Sequence, residues 1–124
     1  MGCMAQRTII DGKIGGKVEV DIRFQVRMTA RKKLLFLPHA VRQMSAPERM
    51  ISRREIRLVV ESGEVIEDYQ EDVRGHSCLL LGHGDGNRPI HVVCSPKEEH
   101  LAIITAYLPD PSLREDNFRK RVVK

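Results

Sequence analysis

There is no tryptophan in this chain, and there are only three phenylalanines and two tyrosines. That scarcity excludes a nucleic-acid platform built from a row of stacked aromatic rings. Cys3, Cys78 and Cys94 are odd in number and show no CxxC spacing. They argue against a disulfide framework and against a zinc site. Cys78 and Cys94 sit inside apolar runs and read as small core residues. No apolar run is long enough to cross a bilayer. The N-terminus lacks the continuous apolar segment of a secretory signal. A reducing cytoplasm, with no membrane partner, is the expected setting. No GxSxG nucleophile elbow is present. Gly82-His83-Gly84-Asp85-Gly86 is glycine-rich, but it joins strand to strand and lacks the Lys-Ser/Thr of a phosphate loop. His39, His76, His83, His91 and His100 show no ligand-pair spacing. Even the set His39, His91 and Asp68 has nothing to support its geometry, so no metal and no cofactor is expected.

The length of 124 residues fits one domain with a single modest core. The net charge is +4, and its placement says more than its size. Arg27, Arg31, Lys32, Lys33, Arg42, Arg49, Arg53, Arg54 and Arg57 face only Glu48 and Glu55 in the same stretch. The tail from Arg114 to Lys124 is basic again, while Glu61, Glu64, Glu67, Asp68, Glu71 and Asp72 make the middle acidic. Such a distribution fits a surface for a polyanion, or solvated helix faces balanced by acidic loops.

Residues 1–16 are glycine-rich and read as a flexible arm, leaving 17–124 as a single domain. Lys17 to Val26 alternates apolar and polar residues and predicts a half-buried strand. Pro38 suits the first turn of a helix over His39 to Ala46, with Ala40, Val41 and Met44 inward and His39, Arg42 and Gln43 on a neighbouring stripe. Ser52 followed by Glu55 is a capping box, and Ile51 with Ile56 fits a hydrophobic staple. The second helix therefore runs to Ser62, with Gly63 at its end.

Four β-type runs follow from Gly63 to Asp110, each closed by a turn signal. They predict an antiparallel meander, then a short helix capped by Asp110-Pro111. The fold class is α+β: two helices on an antiparallel sheet of about four to five strands, with a short C-terminal helix.

Strand alternation then sorts the side chains. Ile90, Val92 and Cys94 share one face, with His91 opposite; Ala102, Ile104 and Ala106 share another, with Thr105 and Tyr107 opposite. If Ser95 pairs with Leu101, His91 lies across from Thr105, with Tyr107 one step along. His91 suits proton transfer, since its ordinary pKa is near neutrality. Taken alone, it reads first as a structural histidine bonded to a loop or to Tyr107. Tyr107 reads as a core residue with a satisfied hydroxyl, or as part of a site if His39 and Arg42 converge on it.

The order His39-Ala40 with Arg42 and Met44, then Ile51-Ser52, then Gly63-Glu64-Val65-Ile66-Glu67-Asp68-Tyr69 resembles the bacterial domain-of-unknown-function family 4258. The likeness continues through Leu80-Leu81-Gly82, Arg88-Pro89-Ile90-His91-Val92, Ile104-Thr105-Ala106-Tyr107 and Pro109-Asp110, and covers Leu35 to Arg121. Two departures stand out. Leu113 or Arg114 stands where the family carries a tryptophan, and Ala46-Pro47-Glu48 lengthens the segment before Ile51.

The resemblance implies a fold like that of small RelE-type and BrnT-type toxins. It implies metal-independent RNA cleavage, in which a 2′-hydroxyl attacks its own phosphodiester and leaves a cyclic phosphate. His39 and His91 are the implied acid and base, and Tyr107 orients a hydroxyl or stacks a base. Arg42, Thr105, Arg119 and Arg121 are the implied substrate-binding set, with arginine suited to bidentate phosphate contact. The implied partners are RNA and a cognate antitoxin-like protein. A non-catalytic RNA- or protein-binding module is the alternative, and a structural protein that pairs its sheet edge with a partner is a third.

Overall fold

The structure is a computed structural model that describes residues 21–121. Its elements are α1 (Ile22–Lys32), β1 (Leu34–Phe36), α2 (Pro38–Ser45), α3 (Arg53–Ser62), β2 (Glu64–Tyr69), β3 (Ser77–His83), β4 (Pro89–Pro96), β5 (Leu101–Tyr107), β6 (Arg114–Glu115) and β7 (Lys120–Arg121). The main sheet runs in the order β1-β5-β4-β3-β2. β2 to β5 form the expected antiparallel meander. β1 joins its edge parallel to β5, with Leu34 against Leu101 and Phe36 against Ile103. Three residues are too few to show an alternation, so β1 leaves no sequence signal.

The strand expected at Lys17 to Val26 is corrected from Ile22 onward, where the chain is helix α1; positions 1–20 lie outside the described residues. The Asp21 side chain accepts from the Phe24 amide at 2.8 Å and starts the helix. Ile22, Val26, Thr29 and Ala30 then turn inward at helical spacing. Ile22 and Val26 satisfy both a period of two and a helical four, which is how the alternation misleads.

α3 forms as its capping box predicts. Ser52 Oγ accepts from the Glu55 amide at 3.1 Å, and Glu55 Oε1 accepts from the Ser52 amide at 3.0 Å. Ile51, Ile56, Val59 and Val60 are buried. In α2, Ala40 and Met44 turn inward as expected, but Val41 is exposed.

One sheet face packs on the helices. Cys78, Leu80, Ile90, Val92, Cys94, Leu101, Ile103 and Ala106 meet Val26, Ala40, Met44, Ile56 and Val59 there. Two glycines allow the close approach of α3. A Cβ on Gly82 would lie 2.9 Å from a Val59 methyl, and one on Gly63 would lie 2.6 Å from the Val59 carbonyl oxygen. The expected hairpin turn at Gly84 to Asn87 is present as a single 3-10 turn over Asp85–Asn87, with Gly86 at φ 65°.

The short C-terminal helix is not formed. Asp110 accepts from the Ser112 amide at 2.9 Å and from its hydroxyl at 2.8 Å, which closes a local turn. The chain then makes the β6–β7 hairpin, whose tip holds Asp116, Asn117 and Phe118 at φ of 54°, 54° and 72°. A side chain–backbone turn at Asp110 competes with helix initiation, and here it wins.

Candidate functional site

The face of the sheet away from the helices carries the polar residues. Register places His91 directly across from Tyr107, and Val93 across from Thr105. The expected pairing of His91 with Thr105 is thus corrected by two residues. Pro96, not Ser95, pairs with Leu101, and an irregularity at Val93/Cys94 adds one residue on β5. Because the total slip is even, His91 and Tyr107 stay on one face.

The imidazole is fully buried. Its Nδ1 lies 3.3 Å from the Tyr107 hydroxyl, and its Nε2 lies 3.1 Å from the Phe118 carbonyl oxygen. A carbonyl only accepts, so Nε2 carries the proton and the Tyr107 hydroxyl donates to Nδ1. The phenol ring stands edge-on to the imidazole at a centroid distance of 5.3 Å. Burial pushes the His91 pKa down to about 4, against the opposing pull of the Phe118 carbonyl. At neutral pH the ring is therefore uncharged and both its nitrogens are engaged.

Glu67 on β2 organises the rest of this face. It receives Arg114 Nη1 at 3.0 Å, Arg121 Nε at 2.9 Å and Arg121 Nη2 at 2.9 Å, and it also accepts from the Tyr69 hydroxyl. The Arg121 bonds hold its pKa at about 2 despite the opposing effect of burial, with Tyr69 and Arg114 adding to them. Next to it, Glu64 receives Arg119 Nε at 2.9 Å. The acidic β2 and the basic tail thus pair across this face.

Beside these groups lies a hollow of about 420 Å³, lined by Tyr107, Pro109, Asp110, Leu113, Arg114 and Arg121. Tyr107 gives it an aromatic wall and Leu113 an apolar rim. Arg114 and Arg121 supply cations, and Asp110 supplies a carboxylate. The Arg121 side chain remains 69% exposed, and its Nη1, unlike Nε and Nη2, is not taken up by Glu67 and can meet an oxyanion.

The chain therefore gathers His91, Tyr107 and Arg121 of the expected site, with Thr105 half-buried on the same face and Arg119 at its border. His39 and Arg42 are exposed on α2, which packs along β5 through the helix-covered core. Neither lines the hollow, and no hydrogen bond or ion pair joins either to His91 or Tyr107 among the described residues. Glu67 and Arg114 are the members that sequence reasoning missed. The signal was present in the two glutamates of the first β-type run, Glu64 and Glu67, and the arginines of the tail, which are complementary in charge. Among the described residues no group of three or more His, Cys, Asp or Glu side chains could hold a metal ion. No helix among them is long and apolar enough to cross a membrane.

A model of the domain of unknown function DUF4258 matches residues 36–108. The chain belongs to this family. The DUF4258 portion runs from the end of β1 through β5, so it contains Glu67, His91 and Tyr107. α1 and the hairpin that brings Arg114, Phe118 and Arg121 lie outside the DUF4258 match. No curated protein and no solved structure matches the chain.

Proposed function

We propose that this DUF4258 protein is an RNA-binding module whose site is the hollow between Tyr107 and Arg121. The observation that carries this reading is the meeting of an aromatic ring and two guanidinium groups in one cavity. An unstacked base fits against Tyr107 and Leu113. Arg121 takes the neighbouring phosphate, and Arg114 adds to the local field. Asp110 is an acceptor for an exocyclic amine of the base.

His91 serves this site from behind. By accepting from the Tyr107 hydroxyl it fixes the phenol. Its low pKa keeps it uncharged, so it adds no repulsion to the two arginines.

A toxin-like, metal-independent ribonuclease is the second reading. The bond between Tyr107 and His91 favours it, because a 2′-hydroxyl in the hollow could pass its proton through the phenol to Nδ1. The 2′-oxygen would then attack phosphorus, Arg121 would stabilise the phosphorane, and the 5′-oxygen would leave with a proton from solvent. Thr105 and Arg119 would steady the strand, and a cognate antitoxin-like protein would be the partner.

One experiment separates the two. A labelled ribo-oligonucleotide is mixed with the protein in EDTA, and both anisotropy and strand integrity are followed across a salt series. The binding reading predicts intact RNA and a log–log salt slope of about −0.7 to −1.4, one to two phosphates' worth. Cyclic-phosphate products would install the second reading, and no binding at low salt would remove both.

A further inference from the structure

The contacts of the C-terminal hairpin go beyond what binding requires. β6 and β7 form a two-stranded sheet of their own and do not pair with the main sheet. A pair of two-residue strands does not hold itself together in water. Among the described residues, three polar attachments tie the hairpin to the domain: Arg114 and Arg121 on Glu67, Arg119 on Glu64, and the Phe118 carbonyl on His91 Nε2. Its tip runs through three consecutive residues in the left-handed region, one of them the phenylalanine that meets His91. Asn and Asp tolerate that region, whereas an aromatic residue resists it. The tip is therefore held against its own preference by bonds that lie at its base and centre.

We propose that the hairpin from Arg114 to Arg121 is a latch. Closed, it seals His91 and shapes one side of the hollow; open, it uncovers the imidazole–phenol pair to solvent. Such a device requires attachments that are few, polar and reversible, and the apolar contacts that lock the rest of the fold are concentrated on the opposite sheet face. The latch is a property of the chain itself and stands whether or not RNA is the ligand.

The groups facing the imidazole are Tyr107 from β5, Glu67 from β2, and Arg114 and the Phe118 carbonyl from the hairpin. Opening removes the last two and restores solvent, so the ring's titration reports the state of the latch.

The test uses the full chain and NMR, reading the ring nitrogens of His91 and amide exchange at 114–121. In wild type the ring is expected to hold the Nε2–H form, with a midpoint lowered by burial to about 4. Glu67→Gln is expected to speed exchange of all the hairpin amides together by about tenfold, and to raise the His91 midpoint toward its ordinary range. Arg119→Ala, which touches neither Glu67 nor His91, is expected to do the same in smaller measure, because the hairpin moves as one unit. The proposal is overturned if either variant loosens only the residues next to the substitution. It is also overturned if the hairpin exchanges faster while the His91 titration stays where it was.

Discussion

Glu55→Ala is expected to lower stability by about 3–5 kcal/mol, the usual cost of stripping one partner from a buried ion pair. Glu55 is 1% exposed, yet it is ionised. It accepts from the Ser52 amide at 3.0 Å, the Asp85 amide at 2.8 Å, Arg88 Nη2 at 3.0 Å and Arg88 Nε at 3.2 Å. Arg88 goes on to donate to the carbonyls of Arg49 and Met50 at 2.7 and 2.9 Å. One carboxylate thus ties the start of α3 to the β3–β4 turn and, through Arg88, to the segment after α2. Its removal leaves the guanidinium without its counter-charge and two amides without their acceptor, so thermal unfolding should fall by more than about 12 °C. Glu55→Gln keeps one oxygen, but its NH2 group stands where either the Ser52 or the Asp85 amide had its acceptor, so most of that cost is expected to remain. A shift of a degree or two for Glu55→Ala would contradict the assignment.

The same residue sets an acid limit. Burial alone would raise the Glu55 pKa, but the bonds from Arg88, Ser52 and Asp85 outweigh it and hold it at about 2, below the ordinary 4.5. A carboxylate with a depressed folded pKa contributes stability above its unfolded pKa and loses it as pH falls through the folded one. That contribution, about 3 kcal/mol, should disappear between pH 4.5 and 2. Glu67 acts in the same window and the same direction. Glu55→Gln should flatten its share of the slope.

Tyr107→Ala is expected to weaken RNA binding by about fivefold or more, because stacking of one base on an aromatic ring is worth about 1–3 kcal/mol. Tyr107→Phe keeps the ring and loses only the hydroxyl that donates to His91, so affinity should stay within about threefold of wild type. The pair of variants also divides the two functional readings. If the hydroxyl relays a proton, Phe abolishes cleavage while binding persists. If the ring alone matters, Ala and Phe differ in binding and there is no cleavage to lose. Equal loss in both variants would mean that the phenol oxygen, not the ring, meets the ligand.

Much of this fold is legible in the chain because local signals agree with one another there. The Ser52–Glu55 box, Gly63 after α3, and four alternating runs with turns between them all point to elements that form. α1 is misread because Ile22 and Val26 satisfy two periods at once. The C-terminal hairpin is misread because Asp110-Pro111 serves a turn as well as a helix start. β1 is silent because its three residues gain their place from β5, a partner 67 residues away in sequence.

The site was half legible. Alternation puts His91 and Tyr107 on one face whichever even register holds. It cannot show that Phe118 closes over the imidazole, since that contact depends on three left-handed residues. Nor can it show that two arginines of the tail share Glu67. His39 and Arg42 illustrate the opposite case: their spacing on a helix stripe is correct, but the stripe faces solvent and stands clear of the hollow.

The central claim is that the hollow beside Tyr107 is where RNA binds, and a chemical-shift map during titration with a short single-stranded RNA tests it most directly. The account predicts that the shifts concentrate on Tyr107, Asp110, Leu113, Arg114 and Arg121, and that they fade as salt rises. Shifts confined to the exposed bases of α1 and α2, such as Arg27, Arg31 and Arg42, with the hollow silent, would contradict it.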